Sequence, residues 1–121
     1  MTHRIFLDQA GVNNGSFENL RLELRRGFLI GAALAELRTE QYGYILRKAL
    51  ADHGLAIDEG TLYPLLRRLE TLGLLASERR EENKRSKRFY HLSRDGEAIL
   101  GQLLDEWQVL NTSLNRILEE G

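Results

Sequence analysis

Three apolar stretches at helical spacing, a basic hairpin and one long final helix follow each other along the chain. That order predicts a mainly α-helical fold with a small β-hairpin: a winged helix-turn-helix extended by a long C-terminal dimerisation helix. Two further observations support it. The second and third helices are separated by a brief turn containing a glycine. The last segment keeps its apolar spacing far beyond what a domain of 121 residues needs for its own core. The expected division is an N-terminal arm over residues 1–19, a winged-helix unit over 20–93 and the dimerisation helix over 94–121.

Residues 1–19 show little periodicity and contain Gly11, Asn13, Asn14 and Gly15, so they read as a mobile arm. Ser16 or Asn19 can cap the helix that follows. In residues 20–37, Leu20, Leu24 and Phe28 form one stripe, joined by Leu29, Ile30, Ala33, Leu34 and Leu37. The second half is apolar nearly all round, which asks for burial on more than one side and hints at a partner subunit. Residues 41–53 form a second helix, with Tyr42, Ile45, Leu46, Ala49 and Leu50 facing the core and Gly54 ending it.

The third helix, residues 58–73, organises the rest. Asp58 can cap it, Gly73 can close it, and Leu62, Leu65, Leu66, Leu69 and Leu72 face inward. Thr61, Tyr63, Pro64, Arg67, Arg68 and Thr71 are left outside, a surface suited to the groove of a polyanion. An ordinary solvated helix face is the competing reading. Pro64 cannot donate to the carbonyl of Gly60, so the first turn is expected to be loosened or bent. Residues 74–80 and 87–92 read as two strands, joined by a polar turn over 81–86. Arg79, Arg80, Lys84, Arg85, Lys87 and Arg88 cluster there against Glu78, Glu81 and Glu82. A basic hairpin can be a solvated edge; after a helix-turn-helix it fits a wing gripping backbone phosphates.

Ser93 can cap the last helix, with Asp95 favourable in its first turn. Leu100, Leu103, Trp107, Leu110, Leu114 and Ile117 then alternate steps of three and four, the seam of a two-stranded packing interface between two copies. Trp107 at mid-seam either fills the core or, paired across the interface, walls a site for a flat hydrophobic effector.

Charge is distributed unevenly behind a net of −1. Residues 61–94 hold 9 basic and 4 acidic side chains, a net of +5; residues 95–121 hold 1 basic and 6 acidic, a net of −5. One surface is built for an anion and another to stay off it. With no cysteine, disulfides and Cys-ligated zinc are excluded, and a cytoplasmic location is expected. Residues 1–10 are not expected to be a signal peptide, and the most apolar segment, 27–35, is far shorter than the ~20 residues of a membrane span. His3, His53 and His91 lie far apart in sequence without metal spacing, and no nucleophile or phosphate-loop motif occurs. The expectation is no metal, no cofactor and no enzyme activity.

Tyr42-Gly43-Tyr44, the run from Glu59 to Glu70 containing Thr61-Leu62-Tyr63-Pro64, and Arg88-Phe89-Tyr90-His91-Leu92-Ser93 with Gly96 together resemble the PadR family of bacterial transcriptional regulators. The resemblance spans about residues 26–118 and is to the smaller subgroup with a single C-terminal helix. It implies a homodimer that binds double-stranded DNA at a pseudo-palindromic operator, usually as a repressor. On that resemblance Thr61, Tyr63, Pro64, Arg67 and Arg68 belong to the recognition helix, and Tyr42 and Tyr44 stand near phosphates. Lys84, Arg85, Lys87 and Arg88 grip the backbone from the wing, and Trp107 lines an effector pore. The wing tip departs from the family pattern: residues 83–87 replace the usual Gly-Pro tip. A winged-helix module that docks protein instead of DNA is the alternative.

Overall fold

The computed structural model describes residues 14–120. Its elements are α1 (Asn14–Glu36), β1 (Gln41–Tyr42), α2 (Gly43–Asp52), α3 (Glu59–Thr71), β2 (Leu75–Glu82), β3 (Arg85–Leu92) and α4 (Arg94–Glu120). The predicted fold class holds, with one addition. Gln41 and Tyr42, expected to open the second helix, pair with Tyr90 and Phe89 of β3 instead, making a three-stranded antiparallel sheet in the order β1-β3-β2.

Of the residues 1–19 expected to form an arm, 14–19 are helical. Helix α1 already begins at Asn14, so Ser16 and Asn19 lie within its first turns and Asn19 is no cap; residues 1–13 lie outside the described part. The helix carries two apolar faces. Leu29, Ala33 and Leu34 are buried inside the chain, with Leu37 just past its end. The stripe Leu20, Leu24 and Phe28, extended backwards by Phe17, stays exposed.

The core is almost entirely leucine: Leu34, Leu37, Leu46, Leu50, Leu62, Leu66, Leu69, Leu75 and Leu100, with Tyr90. It is drawn from α1, α2, α3, the sheet and the first turns of α4, so each amphipathic element buries its stripe against the others. Helices α2 and α3 end alike. Gly54 and Gly73 both take φ of +81°, and the next residue's N–H turns back to a carbonyl five positions earlier, Leu55 to Leu50 at 2.8 Å and Leu74 to Leu69 at 2.9 Å. Only glycine adopts that conformation without strain, which is why both helices stop there. The tight second stop throws the chain directly into the sheet. Leu72, expected in the core, is the C-terminal cap residue and is exposed.

Helix α3 runs unbroken from Glu59 through Pro64 to Thr71. The proline sits close enough to the start that only one helical bond is forfeited, and Gly60 offers no side chain to crowd its ring. The wing is longer than expected. Its strands pair from Leu75–Leu92 out to Glu82–Arg85, leaving only Asn83 and Lys84 in the turn, with φ of 54° and 65°. Two successive left-handed residues make the compact hairpin turn whose twist suits antiparallel strands.

The root of α4 knits the molecule together. Ser93 donates its hydroxyl to the Gly73 carbonyl at 2.6 Å and accepts the Gly96 N–H at 3.0 Å, capping the helix as expected. The Ser93 N–H reaches the Leu74 carbonyl, and the Leu92 N–H reaches that of Leu37. From this root the 27 residues of α4 extend for about 40 Å.

Candidate nucleic-acid interface

Between the outer face of α3, the wing and the start of α2 lies an open groove of about 680 Å³. Tyr42, Gly43 and Tyr44 form one wall; Tyr63, Arg67 and Glu70 of α3 form the second; Arg79, Arg85, Ser86, Lys87, Arg88 and Tyr90 of the sheet form the third. All four tyrosines of the chain converge here. Tyr63 lies directly over the start of α2: a Cβ added at Gly43 would come within 2.6 Å of its ring. The Tyr-Gly-Tyr sequence thus lets the third helix seat itself against the second.

The side chains differ in how firmly they are held. Lys87 sits 4.3 Å from the centre of the Tyr42 ring, whose edge meets Phe89, and 3.4 Å from Glu82. Arg80, the cross-strand partner of Lys87 on the same face, is spent on Glu78 and Glu40 and stacks over Phe89; those two carboxylates, Glu78 first, hold its pKa above the ordinary value. Arg67, Arg68, Lys84 and Arg85 have no carboxylate partner among the described residues. They are the free cations of this surface. The register also sets Arg79 opposite Arg88 and Arg80 opposite Lys87, so like charges face each other twice in the free wing.

Of the residues singled out in the sequence, Tyr42, Tyr44, Tyr63, Arg67, Arg85, Lys87 and Arg88 meet in the groove. Pro64 and Arg68 lie exposed on the outer side of α3, and Lys84 at the wing tip. Thr61 does not join them. Its hydroxyl donates to Asp58 at 2.8 Å, and it lines a separate hollow with Leu22, Arg25, Arg26 and Ile57 on the α1 side of the helix. The physical reason is helical phase, since two residues of separation turn Thr61 and Tyr63 about 200° apart. The same Thr61 hydroxyl is the main cause that lowers the Asp58 carboxyl below its usual range. Glu70, Arg79, Ser86 and Tyr90 also belong to the groove; of these the sequence reading counted only Arg79, as one of the basic residues of the hairpin and without a contact of its own. Arg79 was within reach, because a two-residue turn fixes the register that sets it beside Arg88; Glu70 was not, because nothing local marks a glutamate as facing a strand.

Residues 33–102, more than half of the chain, match the Transcriptional regulator PadR-like family. The chain belongs to that family. Among solved structures, a PadR family transcriptional regulator from Eggerthella lenta DSM 2243 superposes with a TM-score of 0.84 at 41% identity, over 89% of this chain and 96% of that one. A PadR-like transcription factor from Bacteroides fragilis gives 0.70 at 34% identity, over 82% and 98%. The transcriptional regulator Rv3488 of Mycobacterium tuberculosis is 44% identical over 61 residues, half of this chain and 57% of that protein. The chain thus spans just over half the length of that curated relative.

In this PadR-like regulator the family match ends at residue 102, partway along α4. Beyond residue 102, Leu103, Trp107, Leu110, Leu114 and Ile117 form an apolar row on α4, all exposed to solvent in the single chain. Leu100, expected to open that row, belongs instead to the chain's own core at 6% exposure, because the first two turns of α4 still lie over the sheet and α1. Trp107 is 49% exposed and meets the Phe28 ring edge-on at 5.1 Å, joining the α4 row to the exposed stripe of α1. No helix among the described residues is long and apolar enough to cross a membrane, and no cluster of His, Asp or Glu there could hold a metal ion.

Proposed function

We propose that this PadR-like regulator binds double-stranded DNA as a homodimer on a pseudo-palindromic operator and acts as a repressor. The observation that carries the reading is the pairing of two surfaces on one chain. One is a groove with uncommitted cations at Arg67 and Arg85, and the other is an apolar row on α4 that is exposed in the single chain. The groove supports a duplex gripped between helix and wing: Pro64, Arg67 and Arg68 toward base edges, Lys84, Arg85, Lys87 and Arg88 toward phosphates, Tyr42 and Tyr44 at the flanking backbone. The row, from Leu103 to Ile117, supports self-association, since five large apolar side chains repeated along one face cost stability while exposed to water. Two chains joined there would hold two grooves at a set spacing, the geometry that reads a two-fold site. Trp107, at the junction of α1 and α4, is the residue a flat hydrophobic effector would meet.

The test is binding to fragments of the native promoter region, titrated with salt. Wild-type affinity falls steeply with salt concentration as phosphate contacts release counterions. Arg67→Ala costs ~1–3 kcal/mol on the preferred sequence and relaxes base preference. Arg85→Ala weakens every sequence alike and lowers the salt slope by about 0.9. Absence of any saturable complex that survives competitor DNA would leave the surface as a protein-docking face.

A further inference from the structure

The groove contains one carboxylate, Glu70, in a place where an anion works against binding DNA. Its hydrogen bonds explain what it does there. Ser77 of β2 donates its hydroxyl to Glu70 at 2.5 Å, and Arg88 of β3 donates to the same Ser77 oxygen at 2.9 Å. The three residues come from three different elements. Glu70 is on α3 in the last turn before the Gly73 stop, Ser77 faces it from the strand that follows, and Arg88 lies on the neighbouring strand, two residues from Ser77's cross-strand partner Tyr90. With the carboxylate taking the hydroxyl proton, the lone pairs of Ser77 are turned toward Arg88. The hydroxyl therefore has one direction, and so does the guanidinium it holds.

From this we infer that Glu70 and Ser77 are positioning residues: a relay that fixes the Arg88 guanidinium in the groove before DNA arrives. The inference rests on the DNA-binding reading above. Free arginines at Arg67 and Arg85 lose side-chain freedom when they clamp a phosphate or a base; Arg88 has already been ordered during folding. Glu70 reaches Arg88 only through Ser77, so the guanidinium keeps donors for the nucleic acid while its direction is set. The relay also joins the recognition helix to the wing, so the cation it aims is fixed relative to α3 and not merely to the hairpin.

The test is a double-mutant cycle on duplex affinity in the intact chain, with thermal melting of each variant to report any loss of folding. Ser77→Ala is expected to weaken binding about three- to tenfold, the cost of ordering one long side chain, while the salt slope stays near that of wild type. Ser77→Thr keeps the hydroxyl and restores affinity. Arg88→Ala lowers the salt slope by about 0.9, and adding Ser77→Ala to it brings no further loss. A Ser77→Ala penalty of equal size with and without Arg88, or a Ser77→Thr chain as impaired as Ser77→Ala, overturns the relay while leaving DNA binding intact. A wild-type chain that forms no salt-sensitive complex overturns the parent reading, and the relay's purpose with it.

Discussion

Two glycines in one helix, Gly96 and Gly101, are expected to respond to the same substitution with opposite signs. A Cβ added at Gly96 would lie 2.1 Å from the carbonyl oxygen of Leu74 and 2.6 Å from Leu92 Cδ1. The leucine tip can rotate away, but the carbonyl belongs to the chain just past the Gly73 stop and already accepts the Ser93 N–H at 3.0 Å. To reach a tolerable contact α4 must back off by about 1 Å, in an interior packed too densely to absorb it. That movement strains the Ser93 cap and pulls Leu100 out of the core. Overpacking against backbone, with a cap and a core leucine disturbed, amounts to a loss of about 3 kcal/mol. Gly101 has open space around its Cα. Gly101→Ala replaces the poorest ordinary helix former with the best and gains about 0.5–1 kcal/mol. Urea unfolding at one fixed protein concentration reads both. With a slope of about 2 kcal/mol/M, Gly96→Ala lowers the midpoint by about 1.5 M and Gly101→Ala raises it by a few tenths. Equal midpoints for the two variants would refute the close approach of α4 to Leu74.

Three further outcomes are expected. Burial, and then the negative charge of Glu70, raises the Tyr90 phenol above its ordinary value. The stability this confers is complete below the unfolded value of about 10 and drains away as pH rises through the folded value. Tyr90→Phe should therefore flatten the loss of stability in urea titrations above pH ~10, and an unchanged slope would contradict it. Arg79→Thr removes one of the two facing like-charge pairs of the wing. The free protein should gain about 0.2–1 kcal/mol while low-salt DNA affinity drops, whereas loss of both would show that the facing charges cost nothing. Leu110→Asp should abolish self-association in sedimentation and leave Trp107 emission red-shifted at all concentrations; a variant that still associates would move the interface off the α4 row.

Much of this protein could be read in one dimension. Helix existence, the stops at Gly54 and Gly73, the Ser93 cap and the basic wing each follow from periodicity or from a residue whose local conformation has few alternatives. The same holds for the split in charge between residues 61–94 and 95–121. What the sequence could not assign was which neighbour each face would meet. Gln41 and Tyr42 look helical by spacing, but the edge of β3 is open beside them and satisfies their backbone groups. Leu100 has the spacing of the α4 row and the environment of the core, a distinction made only by how far the sheet and α1 reach along that helix. Thr61 turns out to serve Asp58, and Glu70 finds Ser77 across a tight helix-to-strand turn. Local chemistry decides the elements and their polarity; the directions in which individual hydroxyls, carboxylates and guanidinium groups settle are decided only when distant segments compete for the same partners.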